Sequence, residues 1–388
     1  MKVQLSQKKW LSLLFSALLI LVFCLTASAS EEETGFGEEM PDEYADFLES
    51  IPSDVAEHLP DGIFSDKSEL VGNGVGQMSS FSYLTRNVLS LIGARIGDCA
   101  KILGSVCGLL ILSAVCRTLR LSFGNESLGQ AFSFCSSLVI TLALFKQSYL
   151  CLDRVVAYFS SLSAMTSASL PLMGALYAMG GNVTAAVAST GGLAVFLTVM
   201  ENLVGKTVIP FCGICMAFAL TNALDPALRT GTLLTTLKKN YTTVLAFLMM
   251  LLLAMLGAQT TLGARADTLA MRSAKFAAGS MIPVVGGSVG ELLRTVTASV
   301  GYLRGTVGIC GILILFLTLL PTLIELFLLR LTWQLSASFA DLLGCDTEKK
   351  LLDEFASLLG FLISAVCICS SVFLLSLSLL THCASALG

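Results

Sequence analysis

GTVGICGILILFLTLLPTLI, residues 305–324, is a run of twenty residues without a charged side chain, and it indicates how the whole chain folds. Twenty mainly apolar residues are the length that an α-helix needs to cross the hydrocarbon core of a bilayer, which is roughly 30 Å thick. Further uncharged runs lie at 102–116, 127–145, 155–200, 207–224, 240–264 and 355–388. This repeated pattern predicts an all-α, polytopic membrane protein.

The composition supports the same class of protein. The chain has 388 residues, of which 55% are hydrophobic and 13% are charged, about half the charged share of a soluble domain. So much apolar surface excludes a disordered chain, because it would collapse or insert into a membrane. A formal net charge of −4, without any basic cluster, argues against a nucleic-acid partner. The lipid bilayer is therefore the surrounding that the composition predicts.

The run 155–200 is too long for one membrane span and contains Ser, Thr, Gly and Pro residues. We divide it into an interfacial or re-entrant piece near 155–175 and a span near 181–200, and we expect a similar re-entrant piece at 276–296. The sequence then predicts about seven transmembrane helices, at 102–121, 127–145, 181–200, 207–224, 240–264, 305–329 and 355–381.

The N-terminus has the pattern of a secretory signal peptide over residues 1–29. Lys8 and Lys9 precede an apolar stretch at 11–25, which is followed by the small residues Ala27-Ser-Ala29. Fifteen residues are short for a membrane span, so we expect cleavage after Ala29, with an uncleaved anchor as the alternative. Either way, the chain that follows starts outside the cytoplasm.

Charge divides the remaining chain into two parts. Residues 31–98 hold fifteen acidic and three basic side chains, whereas residues 99–388 carry a net charge of +5. We therefore expect an acidic extracytoplasmic segment at 30–98 and a multi-span membrane domain at 99–388. Apolar residues at helical spacing predict an amphipathic helix within 41–52. With seven spans, the C-terminus would be cytoplasmic.

The membrane domain shows a weak internal repeat, which we place at 155–264 and 276–381. Each copy has a Pro/Gly piece, a later proline and a Lys pair before the closing apolar run. In the first copy these are Pro171 and Gly174, then Pro210, then the pair that starts at Lys238. In the second copy they are Pro283 and Gly286, then Pro321, then the pair that starts at Lys349. In transporters, helices interrupted at corresponding positions indicate a substrate path near the membrane midplane, because broken helices expose carbonyls and dipole ends. The alternative is that these prolines and glycines serve helix packing alone.

Charged side chains inside apolar runs are further candidates, because a charge at bilayer depth costs about 2.5–3.5 kcal/mol and tends to be paired or functional. Glu325 is the best of them, with an interhelical ion pair as the alternative to a functional role. Asp225 and Arg229 are spaced to neutralise each other on a helix. The candidate functional or packing residues are Pro171, Gly174, Pro210, Asp225, Arg229, Pro283, Gly286, Gly287, Pro321 and Glu325.

The sequence contains no pattern that predicts catalysis, a cofactor or a metal site. His58 and His382 are its two histidines, which argues against a His-based triad or a zinc cluster. Cys212 and Cys215 form a CxxC pair, but they lie in an apolar segment, where cysteine behaves as a small hydrophobic residue. We therefore expect a protein that is not an enzyme and that binds no cofactor.

Three segments carry a resemblance to a known family. They are DFLESIP at 46–52, KFAAGSMIPVVGG at 275–287 and GTVGICG at 305–311. Together with the signal sequence and the multi-span body, they resemble the stage III sporulation protein AE family of endospore-forming bacteria. The resemblance covers essentially the whole chain, and its most specific part is 275–287.

The resemblance implies a non-enzymatic membrane subunit of the channel- or secretion-like complex between mother cell and forespore, which endospore development needs. It implies the mother-cell membrane around the forespore as the location. It also implies other membrane proteins of the same sporulation operon as partners, and the forespore protein Q as an indirect partner. The family assigns no catalytic residues. The sequence leaves one alternative, a stand-alone permease that carries a small solute along a midplane path between the repeats.

Overall fold

The computed structural model describes residues 39–385 apart from 124–125, 180–181, 225–229 and 282–285. Every regular element in these residues is helical, which confirms the all-α class. A 3₁₀ turn (Asp61–Phe64) lies between α2 and α3, and a π-helical turn (Val204–Val208) joins α6 to α7. The helices are α1 (Glu43–Glu49), α2 (Ser53–Ala56), α3 (Ser68–Ser79), α4 (Phe81–Phe123), α5 (Glu126–Met179), α6 (Val183–Leu203), α7 (Ile209–Leu224), α8 (Thr230–Met281), α9 (Gly286–Leu342) and α10 (Asp346–Ser385).

The uncharged run 305–324 forms the middle of α9 and lies at the centre of the bundle. All ten residues from 311 to 320 are buried. α10 returns antiparallel along α9, and the Trp333 ring meets the Phe355 ring edge-on, with 5.7 Å between centroids. The turn between these helices contains Gly344 at φ 68°, a left-handed conformation that favours glycine. Protein, rather than lipid, therefore surrounds the most apolar helix pair.

The outer side of α8 has the opposite character. Val244, Phe247 and Met250 on this helix are 65%, 67% and 72% exposed. A soluble protein rarely exposes a contiguous row of large apolar side chains, whereas a lipid-facing helix does so routinely. The fold thus combines a buried apolar centre with an apolar outer surface, as expected for a polytopic membrane protein.

Within the described residues, six helical segments are long and apolar enough to cross a membrane, rather than the seven predicted. They are Phe81–Val115, Leu138–Met179, Thr184–Ala219, Gly231–Asp267, Ser299–Leu342 and Asp346–Leu379. The predicted spans 181–200 and 207–224 form one segment, because the π-helical turn before Pro210 lets the chain continue as a helix despite the missing proline N–H.

The predicted re-entrant pieces are not separate elements. Residues 155–175 lie inside α5, which continues through Pro171 without ending. A proline removes only one backbone hydrogen bond, and hydroxyls nearby donate to helix carbonyls, as Thr166 does to Leu162 and Ser169 does to Thr166. Polar Ser and Thr residues are therefore compatible with an unbroken helix. The other piece, 276–296, divides between the end of α8 and the start of α9, with 282–285 outside the described residues.

The predicted internal repeat stays a prediction. If the repeat exists, α6–α7 corresponds to α9, and α8 corresponds to α10, in the same order along the chain. Pro210, however, follows a π-helical turn, whereas Pro321 lies inside a continuous α-helix. The two prolines that anchor the repeat therefore occupy different local structures.

The acidic segment packs directly against the helical bundle. The phenol of Tyr44 donates a hydrogen bond to the carbonyl oxygen of Ile63 at 2.8 Å, and its oxygen is 3.8 Å from Sγ of Cys310 on α9. Burial of the phenol raises the pKa of Tyr44 above its ordinary value. The Tyr83 hydroxyl at the start of α4 also donates to the backbone oxygen of His58. We call residues 40–79 the head.

The head and the end of α10 lie on the same part of α9. A Cβ atom at Gly311 would be 3.8 Å from Cζ of Phe47 and 4.0 Å from Cδ1 of Leu377. An even number of crossings places the two ends of a membrane domain on the same side of the membrane, and the described residues contain six candidate spans. Six spans would place the C-terminus on the side of the head, whereas seven spans placed it on the opposite side.

We predict that Phe47→Ala loosens the head from the bundle. Phe47 is buried, and removing a buried phenyl group costs about 3–5 kcal/mol. Cleavage of the head by a protease added to the detergent-solubilised protein should therefore become faster. Phe64→Ala is the control, because the Phe64 side chain is 45% exposed. Equal cleavage rates for the two variants would contradict the docked position of α1.

Candidate functional site

Glu325 on α9 lies at a junction of three helices. Its Oε2 is 3.7 Å from Nη2 of Arg95 on α4, and its Oε1 is in contact with Nη1 of Arg154 on α5. The Glu325 side chain is 15% exposed, whereas each arginine is almost half exposed. The structure therefore gives Glu325 the interhelical ion pair that the sequence left as the alternative to a functional role.

Pro321 lies one turn before Glu325 and lines a cleft of about 400 Å³. Because proline has no N–H, the carbonyl group of Leu317 lacks its usual helical donor. Arg95 connects the cleft to the ion pair, since it both lines the cleft and contacts Glu325. The lining residues are Asp54, Val55 and His58 from the head, Asn87, Ser90, Leu91, Ala94 and Arg95 from α4, and Leu317, Leu320, Pro321 and Ile324 from α9.

Two further sets of polar contacts connect α10 to neighbouring helices. Lys238 of α8 lies 3.8 Å from the Glu354 carboxylate and 3.3 Å from the Ser357 hydroxyl. Ser113 of α4 donates a 2.7 Å hydrogen bond to the Glu348 carboxylate. Buried charges need such partners, because an unpaired charge in an apolar interior is strongly destabilising. These contacts hold α4 and α8 against the central hairpin.

Glu201 on α6 occupies a different groove. Its carboxylate accepts a hydrogen bond from the Ser163 hydroxyl of α5, and both residues line a cavity of about 200 Å³ beside the π-helical turn. Single π-turns inside α-helices occur often at functional sites. The cavity is small, and Glu201 is the one charged residue among those that line it. The Glu325 junction brings together more charged side chains than this cavity does.

The structure brings together two of the ten predicted residues, Pro321 and Glu325. Pro171 is exposed on α5, and Gly174 faces Thr190 of α6, where a Cβ would approach Cγ2 to 3.3 Å. Pro210 is exposed at the start of α7. Gly286 and Gly287 are the first two residues of α9, and Asp225, Arg229 and Pro283 lie outside the described residues.

Sequence reasoning missed the partners of Glu325. Neither Arg95 nor Arg154 was singled out from the sequence, although Arg154 directly precedes a long uncharged run. The position of Arg154 at the edge of that run, directly after Asp153, was the available signal. In the part of the chain that the structure describes, no group of three His, Cys, Asp or Glu side chains could hold a metal ion. What the junction can do chemically is pair charges and bind a polar group in the adjoining cleft.

We predict that Glu325→Gln destabilises the bundle, because two arginines lose their counter-ion. Loss of a charged hydrogen-bond partner costs about 1–3 kcal/mol, which should appear as a lower free energy of unfolding in detergent micelles. Arg154→Gln should cost a similar amount, and the double variant should cost less than the sum. Asp341→Asn is the control, because it breaks an exposed pair with Lys349, worth about 1 kcal/mol or less. A Glu325→Gln loss no larger than the control would refute the junction.

Comparison with known proteins identifies the family. Residues 66–384 match the family described as stage III sporulation protein AE. A curated relative, stage III sporulation protein AE of Bacillus subtilis (strain 168), is 24% identical over 354 residues, which are 91% of this chain and 86% of the relative. No solved structure matches. The match over most of the chain establishes that this protein belongs to the stage III sporulation protein AE family.

Proposed function

We propose that the chain is a non-enzymatic integral membrane subunit of the channel- or secretion-like complex between mother cell and forespore. In this proposal it lies in the mother-cell membrane around the forespore, with the head on the extracytoplasmic side. Its partners are other membrane proteins of the same sporulation operon, and the forespore protein Q is an indirect partner. Family membership and the six membrane-length helices support this role.

The lengths of the helices support a role in a larger assembly. α9 has 57 residues and α5 has 54, and straight helices of that size are about 81–86 Å long at 1.5 Å per residue. The hydrocarbon core is roughly 30 Å thick. Even strongly tilted helices of this length extend beyond the lipid. The projecting parts are surfaces that other subunits can contact.

The proposal depends on how the head is placed, with one side packed on the bundle and the other side exposed. Its apolar side is occupied by α9, through Tyr44 and Phe47, so these residues are not available to a partner. Asp42, directly before α1, and Asp46 and Glu49 on α1 stay exposed. A docked element with an acidic outer face fits recognition of a basic extracytoplasmic partner, because complementary charge orients and accelerates association.

The stand-alone permease is less well supported. That alternative relied on broken helices whose free carbonyls would line a midplane path. Pro171 and Pro321 lie instead within continuous helices, α5 and α9. We therefore do not carry the permease forward as a second proposal.

Neutralising the exposed face of α1 tests the proposed role. The triple variant Asp42→Asn, Asp46→Asn, Glu49→Gln should fold normally, because these side chains are exposed, but should co-purify with fewer operon-encoded membrane proteins from sporulating cells. Spore yield should fall with it. The control is Asp341→Asn with Asp346→Asn, which removes exposed charges near the α9–α10 turn.

Unchanged co-purification and spore yield in the triple variant would contradict a role for the acidic face. Solute uptake by the purified protein alone, in vesicles without partners, would contradict the subunit role and favour the permease.

A further inference from the structure

The cleft between the head, α4 and α9 contains an unexplained buried donor. The Asn87 side-chain Nδ2 is inaccessible to solvent and has no hydrogen-bond partner in the structure, although Asn87 lines the cleft. Buried polar groups in native proteins are nearly always paired, so such an atom needs an explanation. The volume of about 400 Å³ lies within the range of ligand sites.

Donors and acceptors lie on different walls of the cleft. α4 contributes the Asn87 amide and the Arg95 guanidinium, which are donors for an anionic group. The opposite walls contribute the Asp54 carboxylate at the rim and the Leu317 carbonyl group, whose helical donor is missing at Pro321. These are acceptors for an ammonium group. The arrangement therefore matches a ligand that carries both charges.

The net charge of the site favours the same ligand. Arg95 and Arg154 supply two positive charges, and Glu325 and Asp54 supply two negative charges. A ligand with a net charge would upset this balance in a partly dehydrated cleft, where charges interact strongly. A net-neutral zwitterion preserves it.

The surroundings place the cleft at the depth of lipid headgroups. One wall belongs to the acidic head, whose Asp54 and His58 are exposed. Another wall is α4, the first candidate membrane span, whose opposite face exposes Leu89 and Ile96 at 68% and 55%. A polar element and a lipid-facing helix meet where water meets hydrocarbon. Val55, Leu320 and Ile324 add apolar surface inside the cleft.

We propose that this cleft binds the zwitterionic headgroup of an aminophospholipid such as phosphatidylethanolamine. The phosphate accepts a hydrogen bond from Arg95 and, once the Asn87 side chain turns its buried donor toward the cleft, a second from Asn87. The ammonium donates to Asp54 and to the Leu317 carbonyl group. A bound lipid would join the head to α4 and α9. This inference does not depend on the proposed role in the sporulation complex.

Native mass spectrometry of the delipidated full chain tests the proposal with three phospholipids of matched acyl chains. Phosphatidylethanolamine should bind most tightly, because phosphatidylcholine has no N–H to donate and phosphatidylglycerol has no ammonium. Glycerophosphoethanolamine, the same headgroup without acyl chains, should compete poorly. Equal affinity for the three lipids, or tightest binding of phosphatidylglycerol, would overturn the zwitterion site. Effective competition by glycerophosphoethanolamine would overturn the lipid as its occupant.

Two variants and one control locate the binding. Asn87→Leu and Arg95→Gln should each weaken phosphatidylethanolamine binding roughly tenfold, the factor expected for loss of one charged hydrogen bond. Asn87→Leu leaves the Glu325 ion pair intact, so it reports on the cleft even if Arg95→Gln disturbs folding. Arg86→Gln removes a charge from the same helix outside the cleft and should have no effect. Unchanged binding in Asn87→Leu would overturn the assignment.

Discussion

Burial of the uncharged run 305–324 is the constraint on which the rest of the structure depends. α10 packs against one side of this segment, where Thr381 faces Gly308 and Leu377 faces Gly311, and the head covers another side through Phe47 and Tyr44. A helix so enclosed is stabilised by packing rather than by lipid contact. The outer helices, of which α8 is the clearest example, then supply the surface that faces lipid. The head is therefore part of the bundle and not a separate soluble domain.

Charged groups connect the elements that packing brings together. Glu325 ties α9 to α4 and α5, Lys238 ties α8 to Glu354 of α10, and Glu348 ties α10 to α4. An apolar contact between helices in lipid has little hydrophobic driving force, because lipid tails are as apolar as the side chains. Paired charges and hydrogen bonds fix which faces meet. The polar residues of this chain thus specify the arrangement of its helices.

Local sequence patterns predicted the helical class and the amphipathic α1, because each depends on neighbours a few residues away. They also singled out Glu325 as a candidate, with an interhelical ion pair as the alternative. They did not predict the continuity of α5. Its Ser, Thr and Pro171 residues look like an interruption in sequence. The hydroxyls donate to carbonyls of the same helix, and the proline removes only one backbone hydrogen bond, so the helix continues. The pairing of Arg95 and Arg154 with Glu325 was not predicted, because the tertiary fold brings together residues far apart in the chain. The single π-turn that merges two predicted spans has no clear sequence signature.

The central claim is that the bilayer surrounds the bundle between the head and the α9–α10 turn. Ile324, which lines the cleft beside the head, and Leu342, at the turn, are separated by 18 residues of α9, or about 27 Å along a helix, which is close to the roughly 30 Å hydrocarbon core. The direct measurement is labelling of Asp46→Cys and Asp346→Cys, in a chain whose native cysteines are replaced, by a membrane-impermeant thiol reagent. The reagent is added outside intact non-sporulating cells that express the chain, because in these cells an extracytoplasmic head faces the medium. The account predicts labelling at position 46 and protection at position 346. Labelling of both positions from the same side would contradict it.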